Sequence, residues 1–387
     1  MKVAIVHSYY SSRQPSGENV VVDSQAAALS AYGFDVRVIA ARTDDLETKR
    51  GYKLSTAVNV ASGRGRSPLH EIEEFAPDLV HVHNLFPNWG STWLKQWRGP
   101  LVTTVHNFRP VCAAGTLFRD GGKCTLCPDT STLAAVQHAC YRSSKVATIP
   151  LAIRSRGGIA GDPLLSRADA VVLLTQRARG MYEDFGLAPE KISVIPNFVD
   201  DVGFSAVSAP GEDWVYIGRL SEEKGIANLI RHWPDTQTLR VYGDGPLRSH
   251  VESEAQKRFN VTYLGRLEHD AVPHVLAGAR GLVFPSEWAE GGIPLSYVEA
   301  LAAGRMVVAM AGSSGADDLA AAGAGAVFNE WGALGAALIQ AQAQSEVFAR
   351  RARSHYERNF RRETFLERTN DLYQRLLAQA PAGATRA

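Results

Sequence analysis

The chain has 387 residues, of which 45% are hydrophobic and 21% charged, a composition typical of a globular protein with two or three domains. Its formal net charge of +1 excludes a strong bulk attraction to nucleic acid, and no nucleic-acid partner is expected. The apolar run after Met1 is too short for a signal peptide, and no uninterrupted apolar run reaches the roughly 18 residues of a spanning helix. We therefore expect a cytoplasmic protein that at most touches the inner face of a membrane as a peripheral protein.

Short apolar runs alternate with helical patterns along the chain, in two series of six. The first series predicts strands at residues 3–7, 36–40, 79–83, 101–106, 170–174 and 192–195. The second series predicts strands at residues 214–217, 239–242, 261–264, 281–284, 306–310 and 326–328. Continuous apolar strands that alternate with helices are typical of parallel sheets covered on both faces. We therefore predict an α/β protein with two doubly wound domains.

The two series divide the chain into two domains and a linker. These are residues 1–198 for the first domain, 199–213 for the linker and 214–359 for the second domain. The linker is assigned because it is polar and rich in Gly, Ser and Pro. A long charged helix is predicted over about residues 342–378, and residues 360–380 are expected to pack back on the first domain.

The most informative stretch follows the first strand of the second series. That strand ends at Gly218 and Arg219, and Lys224 stands at the start of the next helix. In an open α/β sheet, anionic ligands bind between the carboxyl end of a strand and the amino end of the following helix. Two cations at such a point predict a diphosphate site. The alternative is a solvated charge cluster on a connecting loop.

Three further strand ends of the second series carry residues suited to a nucleotide. A tight turn containing Gly243 follows one strand, and Gly265 and Arg266 follow another. The third leads to Glu290 and a glycine pair, which lets the backbone approach a ligand closely. Glu299, in the second turn of the next helix, can accept two hydrogen bonds from a ribose diol. Taken singly, each feature is also explained by a structural turn or a surface Glu, but all of them belong to the carboxyl edge of one sheet.

In this order, the residues resemble the retaining GT-B glycosyltransferases of the family 4 type, also called glycosyl transferases group 1. The segments that carry the resemblance are Gly218-Arg219 with Lys224-Gly225, Gly243 to Pro246, Leu264-Gly265, and Glu290-Gly291 with Pro294 and Glu299-Ala300. The resemblance covers nearly the whole chain and implies a GT-B fold, in which two Rossmann-like domains face each other across a cleft. It also implies a UDP- or GDP-linked sugar donor bound mostly by the second domain, and an acceptor of unknown identity bound mostly by the first.

The same resemblance implies a role for each residue of the set. Arg219 and Lys224 neutralise the donor diphosphate, and Glu299 holds the ribose. Glu290 contacts the transferred sugar, while His106, at the end of a first-domain strand, lies close to the reacting centre. The implied catalytic set is His106, Arg219, Lys224 and Glu290. The implied donor-binding residues are Gly17, Gly218, Gly243, Gly265, Arg266, Gly291, Gly292, Ile293, Pro294 and Glu299.

One departure from the family pattern concerns the spacing of the two carboxylates. Eight residues separate Glu290 from Glu299, whereas the family pattern has seven. Because the segment from Pro294 to Glu299 matches the family well, the extra residue falls within 291–293. A turn can absorb one residue, but the insertion can also re-aim the Glu290 carboxylate.

Two first-domain positions also have a purely structural explanation. Gly17 follows Ser16 at a helix start; the resemblance places this loop near the donor phosphates, and a capped helix start is the alternative. Without the resemblance, His106 is a structural histidine at a strand end. His81 and His83, in the preceding strand, are assigned to packing or to lining of the cleft and are predicted to point to opposite faces of the sheet.

All four cysteines lie in one segment of the first domain. They are Cys112, Cys124, Cys127 and Cys140. Disulfides are not expected in a cytoplasmic protein, and a Cys-x2-Cys pair with two outlying cysteines suits a tetrahedral structural zinc. Four free thiols are the alternative, and His138 complicates the count of ligands. Such a zinc would shape the acceptor site and take no part in chemistry, for which no cofactor is expected.

Basic residues dominate a later part of the first domain. Residues 142–179 contain seven Lys or Arg against Asp162 and Asp169, with an apolar patch at 149–153. A basic stretch with an apolar patch can dock on an anionic membrane or bind an anionic acceptor. A solvated face is the third interpretation.

The sequence therefore predicts a hexosyltransferase that moves a sugar from a nucleoside-diphosphate sugar to an acceptor hydroxyl with retention at the anomeric carbon. The acceptor is a glycolipid, a polysaccharide or a natural product. By family analogy the leaving phosphate takes the acceptor proton, so neither a separate base nor a catalytic metal is required. The alternatives are a sugar-nucleotide epimerase of the same architecture and a non-catalytic two-domain sugar-binding protein, which would need an export signal.

Overall fold

The computed structural model describes residues 1–13, 17–201, 203 and 211–379. Their contacts divide them into two compact units. The first unit contains residues 1–117, 124–195 and 366–379, and the second contains 118–123, 196–201, 203 and 211–365. Most of the predicted linker, and Ser16 before the first helix, lie outside the described residues.

The first unit is built on a parallel sheet of six strands in the order β2-β1-β3-β4-β7-β8. Its strands are β1 Lys2–Tyr9, β2 Asp35–Arg42, β3 Leu79–Asn84, β4 Leu101–Val105, β7 Ala170–Leu173 and β8 Ile192–Val194. Between β4 and β7 in the sequence, residues 118–123, which are grouped with the second unit, form a short antiparallel hairpin of β5 Phe118–Arg119 and β6 Gly122–Lys123. The central strands β3, β4 and β7 are buried along almost their whole length, as expected for a parallel sheet covered on both faces.

Helices cover the first sheet. They are α1 Gly17–Ala31, α2 Thr43–Leu46, α3 Tyr52–Ser62, α4 Leu69–Phe75, α5 Leu126–Asp129, α6 Leu133–Gln137, α7 Lys145–Ser155, α8 Gly158–Gly161, α9 Pro163–Arg167 and α10 Gln176–Asp184. Single 3₁₀ turns occur at Thr92–Lys95 and Pro189–Lys191. Three of these helices, α7, α9 and α10, begin with a side-chain cap: the Asp162 carboxylate, for example, accepts hydrogen bonds from the backbone N–H groups of Leu164 and Leu165 at the start of α9.

The second unit repeats the architecture with a parallel sheet in the order β11-β10-β9-β12-β13-β14. Its strands are β9 Trp214–Ile217, β10 Leu239–Tyr242, β11 Val261–Tyr263, β12 Gly281–Phe284, β13 Met306–Met310 and β14 Gly325–Phe328. Its helices are α11 Ile226–His232, α12 Arg248–Gln256, α13 Val272–Ala277, α14 Leu295–Ala302, α15 Ser314–Ala322, α16 Leu334–Ala343 and α17 Ser345–Asn359. Its 3₁₀ turns are Glu222–Lys224, His269–Ala271 and Trp331–Ala333. The predicted pair of doubly wound sheets is confirmed, and each predicted strand ends within two residues of the observed one.

The strand order reverses once in each sheet, between β1 and β3 in the first and between β9 and β12 in the second. In open α/β sheets, ligands bind outside the carboxyl ends of the strands at this reversal. The topology therefore selects the loops after β9 and β12 in the second unit, and those after β1 and β3 in the first, as places to look for a site.

The predicted single helix over residues 342–378 is wrong. The structure has α16, α17 and a further helix, α18 Arg362–Gln379, with a break at Phe360 between the last two. Phe360 is buried, and its backbone carbonyl accepts a hydrogen bond from the Val199 N–H, which replaces helical pairing. In the first unit, the Tyr373 hydroxyl of α18 lies 2.6 Å from Nδ1 of His81. None of the described helices combines the length and apolar character needed to cross a lipid bilayer.

Candidate active site

The turns that follow β9, β10 and β11 pack backbone against backbone. The Gly218 N–H donates to the Tyr242 carbonyl at 3.1 Å, and the Gly243 N–H donates to the Gly265 carbonyl at 2.8 Å. Gly243 has a φ of +150°, and a Cβ there would lie 1.9 Å from the Gly218 carbonyl oxygen. No other residue fits such a close approach, because only glycine lacks a Cβ. We call these turns, together with the loop after β12, the second-sheet edge.

The loop after β12 closes on the turn that starts α11. Gly225, in left-handed conformation at φ +68°, caps this helix, and a Cβ there would lie 2.2 Å from the Pro285 carbonyl oxygen. The Glu287 N–H donates to the Glu223 carbonyl at 3.0 Å. This contact places Lys224 beside the acidic end of the β12 loop.

Lys224 and Glu290 form a buried ion pair. Glu290 is 2% exposed, and its Oε1 accepts hydrogen bonds from Lys224 Nζ and, at 3.0 Å, from the Ser286 hydroxyl. Burial raises the pKa of the Glu290 carboxyl, and the Lys224 ammonium opposes that rise. Glu290 Oε2 is buried without a hydrogen-bond partner among the described residues, as is the indole nitrogen of Trp288. A buried polar atom without a partner requires an explanation, and a ligand is one.

Arg219 differs from Lys224 in being free to reach a ligand. Its backbone carbonyl accepts a hydrogen bond from the Tyr216 hydroxyl at 2.7 Å, which fixes the main chain. Its side chain is exposed and has no hydrogen bond or ion pair within the part of the chain that the structure describes. Of the two cations that follow β9, Lys224 is therefore held in an ion pair and Arg219 is not.

Glu299 is a buried carboxylate at the same edge. It is 6% exposed, and burial raises the pKa of its carboxyl to about 7. Its Oε1 lies 3.7 Å from Nδ1 of the exposed His269 ring. Helix α14, which carries Glu299, is tied to the end of β9 by a hydrogen bond from Ser296 to the Ile217 carbonyl at 3.1 Å.

The remaining residues predicted in the second domain lie on the same edge. Gly265 adopts φ +76°, and the exposed Arg266 approaches Glu268 at 3.6 Å. Gly291 and Gly292 follow Glu290 directly, and Pro294 is the N-cap of α14. The Ile293 side chain is buried in the hydrophobic core, so only the backbone of this residue can meet a ligand.

In the first unit, four histidines gather near the carboxyl ends of β1, β3 and β4. Nδ1 of His83 lies 3.1 Å from Nε2 of His106, and the rings of His81 and His83 stack with centroids 4.5 Å apart. The expectation that His81 and His83 point to opposite faces is wrong, because side chains two positions apart in a strand share a face. Burial lowers the pKa of His106 and of His81 to about 3, and that of His7 to about 4. These imidazoles are therefore neutral at physiological pH.

A polar cluster that the sequence reading missed lies nearby. Burial raises the pKa of the Glu18 carboxyl, in the first turn of α1, to about 7, although the Arg109 guanidinium lowers it. Glu18 Oε1 and Arg109 Nε are buried and have no hydrogen-bond partner among the described residues. Asn84 donates to the Tyr10 hydroxyl at 2.9 Å, and Arg109 lies 4.2 Å from the centroid of the Phe86 ring. With the histidines, we call this cluster the first-sheet edge. Tyr10 directly follows β1, Asn84 ends β3 and Arg109 lies four residues after β4, so the strand-end rule that selected Arg219 could have found these three.

Comparisons with known proteins agree with this geometry. A family model described as Glycosyltransferase Family 4 matches residues 15–202, and one described as Glycosyl transferases group 1 matches residues 211–344. The two matched ranges contain every strand of both sheets except β1, and all of the second-sheet edge. The chain belongs to the GT-B glycosyltransferases of this type.

Individual proteins support the family assignment. An uncharacterized glycosyltransferase of Methanocaldococcus jannaschii is 26% identical over 337 residues, which are 80% of each protein. Other curated relatives match over shorter stretches, and the chain spans only 17% to 27% of their length. Among solved structures, sucrose-phosphate synthase from Thermosynechococcus elongatus has a TM-score of 0.69 at 17% identity, covering 98% of this chain and 99% of that one. Anabaena HepE in complex with UDP-glucose has a TM-score of 0.63 at 16% identity, covering 97% of this chain and 100% of that one. These structural likenesses show the fold.

The predicted site residues of this glycosyltransferase are divided between the ranges that the two family models match. Gly17, His106 and the cysteines fall in the family 4 range, and the second-sheet edge falls in the group 1 range. Gly17 is the exposed first residue of α1. The assignment to a transferase family argues against the two alternatives, a sugar-nucleotide epimerase and a non-catalytic sugar-binding protein.

The Cys127 thiol is close enough to interact electrostatically with the other three cysteines, and Cys127 and Cys140 pack against one small apolar cluster. Burial raises the pKa of the Cys127 thiol to about 11, and the other three thiols add smaller effects. No group of three or more His, Cys, Asp or Glu side chains among the described residues has an arrangement that could hold a metal ion. The structural zinc stays a prediction for metal analysis.

Proposed function

We propose that this glycosyltransferase transfers a sugar from a UDP- or GDP-linked donor to an acceptor hydroxyl, with retention at the anomeric carbon. The observation that carries the proposal is the second-sheet edge, where Arg219, Lys224 and the buried Glu299 surround one sheet reversal. Its two cations suit a diphosphate, and its buried carboxylate suits a ribose diol.

Each group has a distinct part in the proposed reaction. Negative charge develops on the departing diphosphate, and preorganised positive charge there is usually the largest catalytic contribution. Arg219 and Lys224 supply that charge. Lys224 is held in place by its ion pair with Glu290. The second carboxylate oxygen of Glu290 has no partner among the described residues and can accept a hydrogen bond from a hydroxyl of the transferred sugar. The Gly291 and Gly292 amides support the same sugar.

The proton chemistry follows from the same groups. Because the departing phosphate can take the acceptor proton, the proposed mechanism needs neither a separate base nor a catalytic metal. The low pKa of His106, about 3, suits a neutral hydrogen-bonding contact to the donor sugar and makes it a poor proton donor. Glu18 and Arg109 offer hydrogen-bonding groups to an acceptor, for which we propose a glycolipid, polysaccharide or natural-product hydroxyl.

The support for a nucleotide sugar comes from site chemistry and from fold relatives. Anabaena HepE has been solved with UDP and with UDP-glucose. The base-binding part of the proposed site is the Gly265–Arg266 turn. A uridine or guanosine diphosphate sugar is therefore the proposed donor class.

A screen of nucleotide sugars tests this function. Release of free UDP or GDP is followed with and without candidate acceptors, and the anomeric configuration of the product is read by NMR. We expect release that depends on the acceptor and a product with the donor configuration. Release of an altered sugar without an acceptor would support the epimerase instead, and an inverted product would overturn the retaining mechanism.

A further inference from the structure

Two segments of the first unit carry positive charge only. Residues 48–70 contain five Lys or Arg, residues 130–161 contain four, and neither segment contains Asp or Glu. The whole chain has a net charge of only +1, so this imbalance is local. Eight of these nine side chains are exposed, whereas Arg154 turns inward and pairs with Asp162 at 3.5 Å.

The fold brings the two segments together. Helix α3 of the first segment packs against α7 of the second, and α6 also packs against α7. Val60 of α3 and Leu151 of α7 belong to the same buried cluster. Two positive segments that are far apart in sequence therefore meet at these helix contacts.

The outward faces of these three helices expose large apolar side chains. Val146, Ile149 and Ile153 recur at helical spacing on α7, and Val146 is 78% exposed. Leu54, at 73% exposure, and Val58 lie one turn apart on α3. With Leu133 of α6, these make up six of the twelve exposed large hydrophobic residues in the described chain.

The core does not require these residues. The buried face of α7 consists of Thr148, Leu151, Ala152 and Ser155, and the buried face of α3 consists of Asn59 and Val60. An amphipathic helix with a second apolar stripe facing water carries a cost unless that stripe meets a partner. Exposed apolar residues among Lys and Arg, without acidic residues, match a surface of the opposite charge with an apolar interior.

We propose that this face docks on an anionic lipid bilayer, with the helices lying in the interface and not crossing it. We call it the apolar–basic surface, defined by Leu54, Val58, Leu133, Val146, Ile149, Ile153 and the eight exposed Lys and Arg of the two segments. The basic side chains contact lipid headgroups, and the apolar side chains enter the boundary with the acyl chains. This inference does not depend on which donor or acceptor the enzyme uses.

Vesicle co-sedimentation of the full-length protein tests the proposal. The probes are vesicles of phosphatidylcholine alone and of phosphatidylcholine mixed with phosphatidylglycerol, each at low and high salt. We expect binding to the mixed vesicles that falls steeply with salt, and little binding to the neutral ones. No binding to anionic vesicles, or equal salt-insensitive binding to both, would overturn the proposal and leave a protein partner as the explanation of the surface.

Two variants and two matched controls locate the contact. The charge variant is Lys145→Glu with Arg156→Glu, and its control is Arg231→Glu with Arg350→Glu, exposed residues of the second unit. We expect the partition onto anionic vesicles to fall about tenfold or more in the variant and to change little in the control.

The apolar variant is Val146→Ser with Ile149→Ser, and its control is Val327→Ser with Ile339→Ser, again exposed in the second unit. Melting temperature and donor turnover in solution should be unchanged in all four proteins, which separates lost docking from lost folding. Equal losses in variants and controls would contradict the assignment of this surface.

Discussion

The two sheet edges share one topology but differ in how their polar groups are arranged. At the second-sheet edge, charges are present in the folded protein: Lys224 is paired with Glu290, and Arg219 is exposed without a partner among the described residues. At the first-sheet edge, burial holds His106 and its neighbours neutral, and Glu18 has a buried carboxylate oxygen without a partner. The second-sheet edge thus presents fixed positive charge, whereas the first-sheet edge presents neutral imidazoles beside a single guanidinium, that of Arg109. Similar folds take on different chemistry through the few residues that follow their strands.

Among the variants that test this contrast, Lys224→Ala should have the largest effect on turnover, because it removes a cation on which the proposed anion site depends. We expect turnover to fall by about two orders of magnitude or more, as for loss of one charge-stabilising donor. Steady-state release of nucleoside diphosphate measures this, with Arg350→Ala as the control. Near-normal turnover would remove Lys224 from the mechanism.

The same variant leaves Glu290 buried without its cation, which also destabilises the fold. The double variant Lys224→Ala with Glu290→Gln removes the unpaired charge. Its melting temperature should recover towards that of the wild type while its turnover does not. Recovery of turnover along with stability would show that Lys224 acts only through folding.

Arg219→Ala should have the next largest effect and no effect on stability, since the Arg219 side chain is exposed and unpaired in the described structure. We expect kcat/KM for the donor to fall between about ten- and a hundredfold, the loss of a charged hydrogen bond. An unchanged melting temperature would show that the loss concerns the ligand. An unchanged kcat/KM would mean that Arg219 is not part of the anion site.

Glu299 should make donor binding depend on pH. Only the ionised carboxylate can accept two hydrogen bonds from a diol, and its pKa in the folded protein is about 7. Affinity for UDP or GDP should therefore rise as pH rises through about 7, and Glu299→Gln should bind about tenfold more weakly above that pH. Calorimetric titration across this range measures both effects.

The same pKa predicts an opposite trend for stability. Burial raises the Glu299 pKa from 4.5 to about 7, so the folded state retains a proton that the unfolded chain releases. The associated stabilisation is complete below pH 4.5 and is lost as pH rises through about 7, by on the order of 3 kcal/mol. Glu299→Gln cannot ionise, so its free energy of unfolding should vary less with pH than that of the wild type. An identical pH dependence would contradict a buried, ionising Glu299.

Glu18→Gln tests the first-sheet edge and should have a smaller effect. We expect the acceptor KM to rise a few-fold, on the scale of one altered hydrogen bond, while donor affinity stays constant. Glu74→Gln, an exposed residue of α4, is the control. A changed donor affinity with an unchanged acceptor KM would reverse the proposed roles of the two edges.

Metal analysis carries the smallest expected effect on activity. If the cysteine segment binds structural zinc, purified protein should contain about one equivalent per chain, and the metal should take no direct part in turnover. A fully folded sample without metal would reject the zinc site.

Sequence patterns predicted the sheets and the second-sheet edge because both depend on local rules. Unbroken apolar runs mark parallel strands, and glycines mark turns such as that of Gly243, where only glycine can fit. The break at Phe360 could not be read locally, because a hydrogen bond from Val199, far away in the sequence, replaces helical pairing there. The Lys224–Glu290 pair also depends on how two loops pack, which spacing alone does not reveal.

The second-sheet edge also shows where such an enzyme can change length. The turns at Gly218, Gly243 and Gly265 are locked to one another by main-chain hydrogen bonds, so an insertion in one would displace the next. The loop after Glu290 ends differently, because buried Ile293 anchors it in the core and Pro294 begins a new helix. The extra residue expected within 291–293 therefore falls between two fixed points, the Glu290 carboxylate in its ion pair and the Ile293 side chain in the core.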